Sequence, residues 1–162
     1  MSNFGMNDLQ FNIEDFDLGI RKTLKKYLKQ NDVVDYFGSE VYVVPFEVDI
    51  VDKSKLPAVE IDIINEGTVD FTQEDTQIQY MNNISVEINT YTTGSDKKKK
   101  NVKLANYIID ILQSSQQIST YYCRGLKLQS CRRLSSIDSS VDRIFIRFTA
   151  TCDNNLKLIY SK

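Results

Sequence analysis

The chain has 162 residues, 41% of them hydrophobic, which suits one compact domain spanning 1–162 with a real core. Its 22 acids and 20 bases leave a net charge of −2, so no global cationic field draws it to nucleic acid, and no sequence-specific nucleic-acid partner is expected. There is no histidine, and Cys123, Cys131 and Cys152 follow no metal-ligand spacing; they read as small buried or half-buried thiols in a reducing compartment. The start MSNFGMNDLQ has neither a basic n-region nor an apolar h-region, and no apolar run is long enough to span a bilayer. A soluble protein without a signal peptide or a membrane partner is expected.

The segment NIEDFDLGIRKTLKKYLKQN places Ile13, Phe16, Ile20, Leu24, Tyr27 and Leu28 on one helical face, with Arg21, Lys22, Lys25, Lys26 and Lys29 around the rest. Asn12 is its expected N-cap, and acids early with lysines late match the helix macrodipole. Asn31 and Asp32 begin the exit and Gly38 closes it. Residues 41–48, VYVVPFEV, have strand composition, and Pro45 removes a ladder donor, which argues for an edge strand or a bend. In AVEIDII, Val59, Ile61 and Ile63 alternate with Glu60 and Asp62, the pattern of a half-buried strand.

Residues 65–77, NEGTVDFTQEDTQ, read as a long polar loop in which Val69 and Phe71 stand among acids, either as a contact surface or as a strand continuation tucked onto the core. The most regular stretch follows. Ile78, Tyr80, Ile84, Val86 and Ile88 share one side of a strand, and Gln79, Asn83, Ser85, Glu87 and Asn89 share the other. From 78 to 92 such a strand would run roughly 50 Å, far beyond the usual length, so a bulge near Met81, Asn82 and Asn83 or a protruding arm is expected, paired with Val59 to Ile64 as a hairpin.

Thr92 to Asp96 is a turn, and the period then becomes helical, with Val102, Leu104, Ala105, Ile108, Ile109, Ile111 and Leu112 in a broad apolar stripe that folds back over the strand. Four lysines, Lys97, Lys98, Lys99 and Lys100, oppose the dipole of a helix beginning there, so the start is expected near Asn101. Serines and glutamines at 114–117 end the helix. Leu126 and Leu128 alternate with Lys127 and Gln129 in a strand, with Arg132 and Arg133 near its end. RIFIRFTATCD alternates cleanly, Asp153, Asn154 and Asn155 read as a turn, and LKLIYSK returns as a short last strand. The fold class is α+β: a mainly antiparallel sheet with a long β-hairpin, packed by an N-terminal helix and a central amphipathic helix.

No catalytic apparatus is legible. Without histidine, acid–base work would fall to a shifted carboxylate, lysine or cysteine, and no cofactor-binding pattern such as a glycine-rich phosphate loop is present. Glu60, Asp62 and Glu87 on adjacent strands could gather a divalent cation for nuclease chemistry, but Asn89 stands where such a site wants a lysine, and solvent-facing acids of alternating strands are the simpler reading. The lysine run is either a solvated turn or a patch for DNA or for an acidic partner surface, such as residues 65–77 of another copy.

The order of elements resembles the tail terminator, or tail completion, proteins of tailed bacteriophages and phage-like particles. The resemblance spans nearly the whole chain: the N-terminal amphipathic helix, LPAVEIDI, ISVEINTYT, the turn into NVKLANYIIDIL, and RIFIRFTATCD followed by LKLIY. It implies a virion tail protein, assembled in the host bacterial cytoplasm, that caps the tail tube as a homo-oligomeric ring of six, stops its polymerisation and offers a surface to head or neck proteins. Its partners are then itself, the tube protein, the head or neck, and the sheath protein where the tail contracts. No cofactor, metal or catalytic residue is implied. The contact candidates are Glu66, Val69, Asp70, Phe71, Glu74, Asp75, Lys97, Lys98, Lys99 and Lys100. A neck or head–tail connector is the nearest alternative, and a metal-dependent nuclease or a monomeric adaptor the more distant ones.

Overall fold

The computed structural model of the protein describes residues 13–45, 56–74, 77–114, 126–135 and 138–157, of which 13–15, 45, 65–74, 77–82 and 151–157 are described by backbone alone. Among these described residues three helices, α1 (Ile13–Leu28), α2 (Asn31–Phe37) and α3 (Lys97–Ser114), accompany five strands. The strands are β1 (Tyr42–Pro45), β2 (Ala58–Glu74), β3 (Gln77–Thr93), β4 (Lys127–Leu134) and β5 (Val141–Lys157). They form one sheet of order β1-β2-β3-β5-β4, antiparallel except for the β1–β2 pair. The α+β architecture expected from the sequence is the one observed.

The helices pack on one side of the sheet, α3 over β3 and β5 and α1 over β1 and β2, with α1 also against α3. The expected stripe of α1 is fully buried at Phe16, Ile20, Leu24 and Leu28, four residues apart and so on one face. Each contributes about 1.5–3 kcal/mol of burial. They meet Val59, Ile61, Ile84, Val86, Ile88, Ile146 and Phe148 from the sheet and Leu104, Ile108, Ile111 and Leu112 from α3 in one core cluster. Val102, expected in the α3 stripe, is 43% exposed, because the stripe follows Leu104, Ala105, Ile108, Ile111 and Leu112 and leaves position 102 on its far side.

The exit from α1 is itself a short helix. Gly38 caps α2 at φ 76°, a left-handed conformation that glycine adopts without penalty, and its N–H donates to the Val34 carbonyl at 2.8 Å. Gly94, at φ 100°, likewise allows the β3–α3 turn. β1 lies at the sheet edge, as Pro45 requires.

The largest departures from the sequence reading lie at the far end of the long strands. Residues 65–74, expected as a loop, continue β2 and pair with 77–84, so the strand alternative is the correct one for their backbone. The anticipated bulge is present at the expected level but on the opposite strand: register shifts fall at Glu66 and Val69 of β2, across from Met81, Asn82 and Asn83, while β3 pairs with β5 without interruption. Asp153, Asn154 and Asn155, expected as a turn, are strand residues opposite Met81, Tyr80 and Gln79. An available partner strand outweighs their turn propensity. The expected final strand at 156–162 therefore has its start inside β5, and residues from 158 lie outside the described residues.

Candidate functional site

Among the described residues the distal end of the sheet is a three-stranded arm of residues 65–74, 77–83 and 151–157. β1 pairs with Ala58 to Ile61 of β2, and β4 with Arg143 to Thr149 of β5, so among the described residues β2 and β5 have no further strand beside them in the arm. A 17-residue strand such as β3 spans about 55 Å, whereas the 18-residue α3 spans about 27 Å, so the sheet outruns the helices. Register places positions 71, 78, 80 and 156 on the side of the sheet that the helices cover further along. Of the expected contact residues, Glu66, Val69, Asp70, Phe71 and Glu74 lie on the β2 limb of this arm, and Asp75 lies outside the described residues. Along the three strands, Glu66, Asp70, Glu74 and Asp153 stand against a single cation, Lys157.

The other end of β3 carries the opposite charge. Lys97, Lys98, Lys99 and Lys100 form the first turn of α3, which begins at Lys97 rather than near Asn101. The turn is held by the Lys97 N–H on the Gly94 carbonyl at 3.3 Å, the Lys100 N–H on the Asp96 carbonyl at 2.9 Å and the Thr92 hydroxyl on the Lys97 carbonyl at 2.6 Å. Local bonding and the buried face of α3 thus override the unfavourable dipole. The Lys97 ammonium donates to the Ser139 carbonyl at 2.7 Å, and Lys100 and Lys103 lie 6.0 and 4.3 Å from the ring centre of Tyr36. Lys98 and Lys99 are exposed, and their ammonium groups have no partner among the described residues. Arg133 of β4 reaches the same end, with Nη2 on the Lys98 carbonyl at 3.4 Å and Nε on the Asp142 carboxylate at 2.8 Å.

The three acids considered for metal chemistry share the sheet side facing away from the helices, with Asp62 directly opposite Glu87. Glu60, expected to face solvent, is only 6% exposed, and its Oε1 accepts from Asn89 Nδ2 at 2.9 Å and Tyr91 OH at 3.2 Å. Arg143 Nε donates to Asn89 Oδ1 at 2.9 Å, and its guanidinium lies 6.0 Å from the Tyr91 ring centre. Glu87 has Arg147 at 3.9 Å. The Glu60 and Glu87 carboxylates are thus turned to donors and cations of β3 and β5, which ties three strands together; among the described residues no group of three or more His, Cys, Asp or Glu is placed to hold a metal. Cys131, expected buried or half-buried, is free and exposed on the edge strand β4; Cys123 lies outside the described residues, as does the side chain of Cys152.

Burial raises the Glu60 pKa above its ordinary value, partly offset by the bonds from Asn89 and Tyr91 and by the Arg143 charge, and Tyr91 is pushed up to about 12, by its own burial first and the Glu60 charge second. A carboxyl that holds its proton more tightly when folded favours the fold below its unfolded pKa, and that contribution disappears as pH rises through the raised folded value. Glu60→Gln keeps an acceptor for Asn89 and Tyr91 but cannot ionise. The stability of Glu60→Gln relative to the parent is therefore expected to rise with pH across that window, measured by urea unfolding from mildly acid to neutral pH. A difference that stays flat would show that Glu60 titrates alike in both states.

No protein-family model matches the chain, and no curated protein matches it. Among solved structures, a chain described as "Virion of native gene transfer agent (GTA) particle" is similar at a TM-score of 0.48 and 12% identity, over 83% of this chain and 92% of that one.

Proposed function

We propose that the protein is a structural component of a tailed-phage or phage-like virion, a tail terminator that closes the tube end as a ring and presents its other face to the head or neck. The observation that supports this reading most is the arm. Three long strands leave a helix-backed sheet, and among the described residues neither outer strand has a further partner there, a geometry that suits coverage by another subunit. Of the acids that would do catalysis, Glu60 is engaged by Asn89 and Tyr91 and Glu87 is paired with Arg147. The element order that resembles the terminator family supplies the specific role, and contacts between unlike surfaces of neighbours would close a ring of six. No reaction is required: one ring face complements the tube end, and the other does not template a further tube layer. Tube protein, head or neck proteins and, in a contractile tail, the sheath are the partners.

Polymerising tail tube protein with and without this chain, and measuring tube lengths by negative-stain microscopy, tests the reading. Shortened tubes, each with one end closed by a ring of about six copies, are expected. Unchanged lengths with bare ends would remove the terminator role, and binding confined to the portal end of filled heads would move the protein to the connector class.

A further inference from the structure

We propose that copies of this chain join head to tail, the acidic arm of one subunit docking on the lysine-bearing start of α3 in the next. The inference deepens the ring reading and rests on it for the closure of the assembly. Its first support is the separation of charge. Glu74 pairs with Gln77 at one end of β3, and Lys97 follows four residues after Thr93 at the other, so the two charged ends lie about 50 Å apart along the strand. The screening length at physiological salt is about 8 Å, so the arm acids do not neutralise the lysines of their own chain. Only a second molecule brings the arm acids to the lysines.

The second support is the state of each end. The first turn of α3 holds four lysines and no acid, so cations stand where the helix dipole favours anions, and a neighbour's carboxylates would satisfy both the lysines and the dipole. Asp96, Asp138 and Asp142 are also at this end, but Asp142 is buried against Arg133 and Asn101, and Asp138 accepts from the Ser140 hydroxyl and N–H. Lys98 and Lys99 remain for a partner. On the arm, Glu66, Asp70, Glu74 and Asp153 face one lysine in the count of charges. The two surfaces differ from each other, so the contact is heterologous and propagates from copy to copy until it closes, which is the symmetry a ring needs. A phosphate backbone is the other polyanion that the lysines could meet; it would leave the acidic arm unexplained.

The test is a pair of charge reversals, Lys98→Glu with Lys99→Glu, and Asp70→Lys with Glu74→Lys, in the full chain. Association is followed by light scattering and sedimentation up to millimolar concentration at low and high salt, with unaltered thermal melting as the check on folding. The parent is expected to associate at low salt and weaken in high salt, and each reversal alone to lower the association constant about tenfold or more, because like charges then meet across the contact. Mixing the two variants restores every opposite-sign contact, since the arm of each now fits the end of the other, and mixed assemblies alternating the two are expected. A parent that stays monomeric throughout, reversals that leave association unchanged, or a mixture that fails to recover each overturns the proposal. So does loss of binding to a duplex DNA fragment as the sole effect of the lysine reversal. Tube capping is read separately: capping that persists while the mixture fails to recover removes this contact and keeps the terminator role, whereas recovery without capping does the reverse.

Discussion

Replacing Asn101 with alanine is expected to lower the unfolding free energy by about 3 kcal/mol, the sum of one lost bond to a buried charge and weaker bonds to backbone. Asn101 is fully buried in α3, and its Nδ2 reaches the Thr90 carbonyl at 3.1 Å, the Asp142 carbonyl at 3.1 Å and Asp142 Oδ2 at 2.9 Å. Thr90 belongs to β3 and Asp142 to β5, so one amide fastens the helix to two adjacent strands. Without it, Asp142, 5% exposed, retains only Arg133 as a charged partner. Asn101→Asp is expected to cost more at neutral pH, since a second carboxylate would then face Asp142, and to recover in acid as one of the pair takes a proton. Urea unfolding at neutral and acid pH measures both. If Asn101→Ala cost under about 1 kcal/mol, water would have to replace the amide at this junction.

Much of the sheet's helix-covered half was legible because its alternation is unbroken: Val59 and Ile61, Ile84 to Ile88 and Ile144 to Phe148 are buried as their period demands. The arm was not, for a physical reason. Each bulge in β2 shifts the alternation by one residue, so Glu66 and Val69 scramble the two-residue period over 65–74, and a chain of Thr, Gln, Asp and Glu without a visible period reads as loop. Asp153 to Asn155 misled in the same way, since local turn propensity says nothing about the partner strand waiting at Gln79 to Met81. Burial of Glu60 and Asn101 was equally hidden, because polar residues are inside only when a distant donor or acceptor meets them, here 29 residues away for Asn89 and 41 for Asp142. The two proposed contact surfaces were legible as charge: an acidic stretch and a lysine run stand out in the sequence. Their placement at opposite ends of one continuous strand was the missing fact, and the proposed head-to-tail contact rests on it.

Arg21→Ala carries the other large expected effect, again about 3 kcal/mol, and it acts on the opposite edge of the molecule. The sequence places Arg21 among the surface cations of α1, yet its guanidinium is a three-way tie. Nε donates to Asp17 Oδ1 at 2.9 Å, Nη1 to the Val44 carbonyl at 3.0 Å and Nη2 to the Ile61 carbonyl at 2.8 Å. Val44 is in β1 and Ile61 in β2, so one side chain holds the helix and the parallel strand pair together. The described part of β1 is four residues that pair with one neighbour among the described residues, which makes it the strand most dependent on such a tie. Lysine at position 21 keeps the charge but has no planar fork to reach two carbonyls at once, so Arg21→Lys is expected to recover less than half of the loss. Asp17→Ala removes only a partly exposed pair one helical turn away and is expected to cost about 0.5 kcal/mol or less. Urea unfolding ranks the three, and amide exchange locates the effect: protection should fall first at β1 and its partners Ala58 to Ile61. Equal losses for Arg21→Ala and Asp17→Ala would show that the guanidinium acts only within its own helix and that β1 is held by its sheet pairing alone.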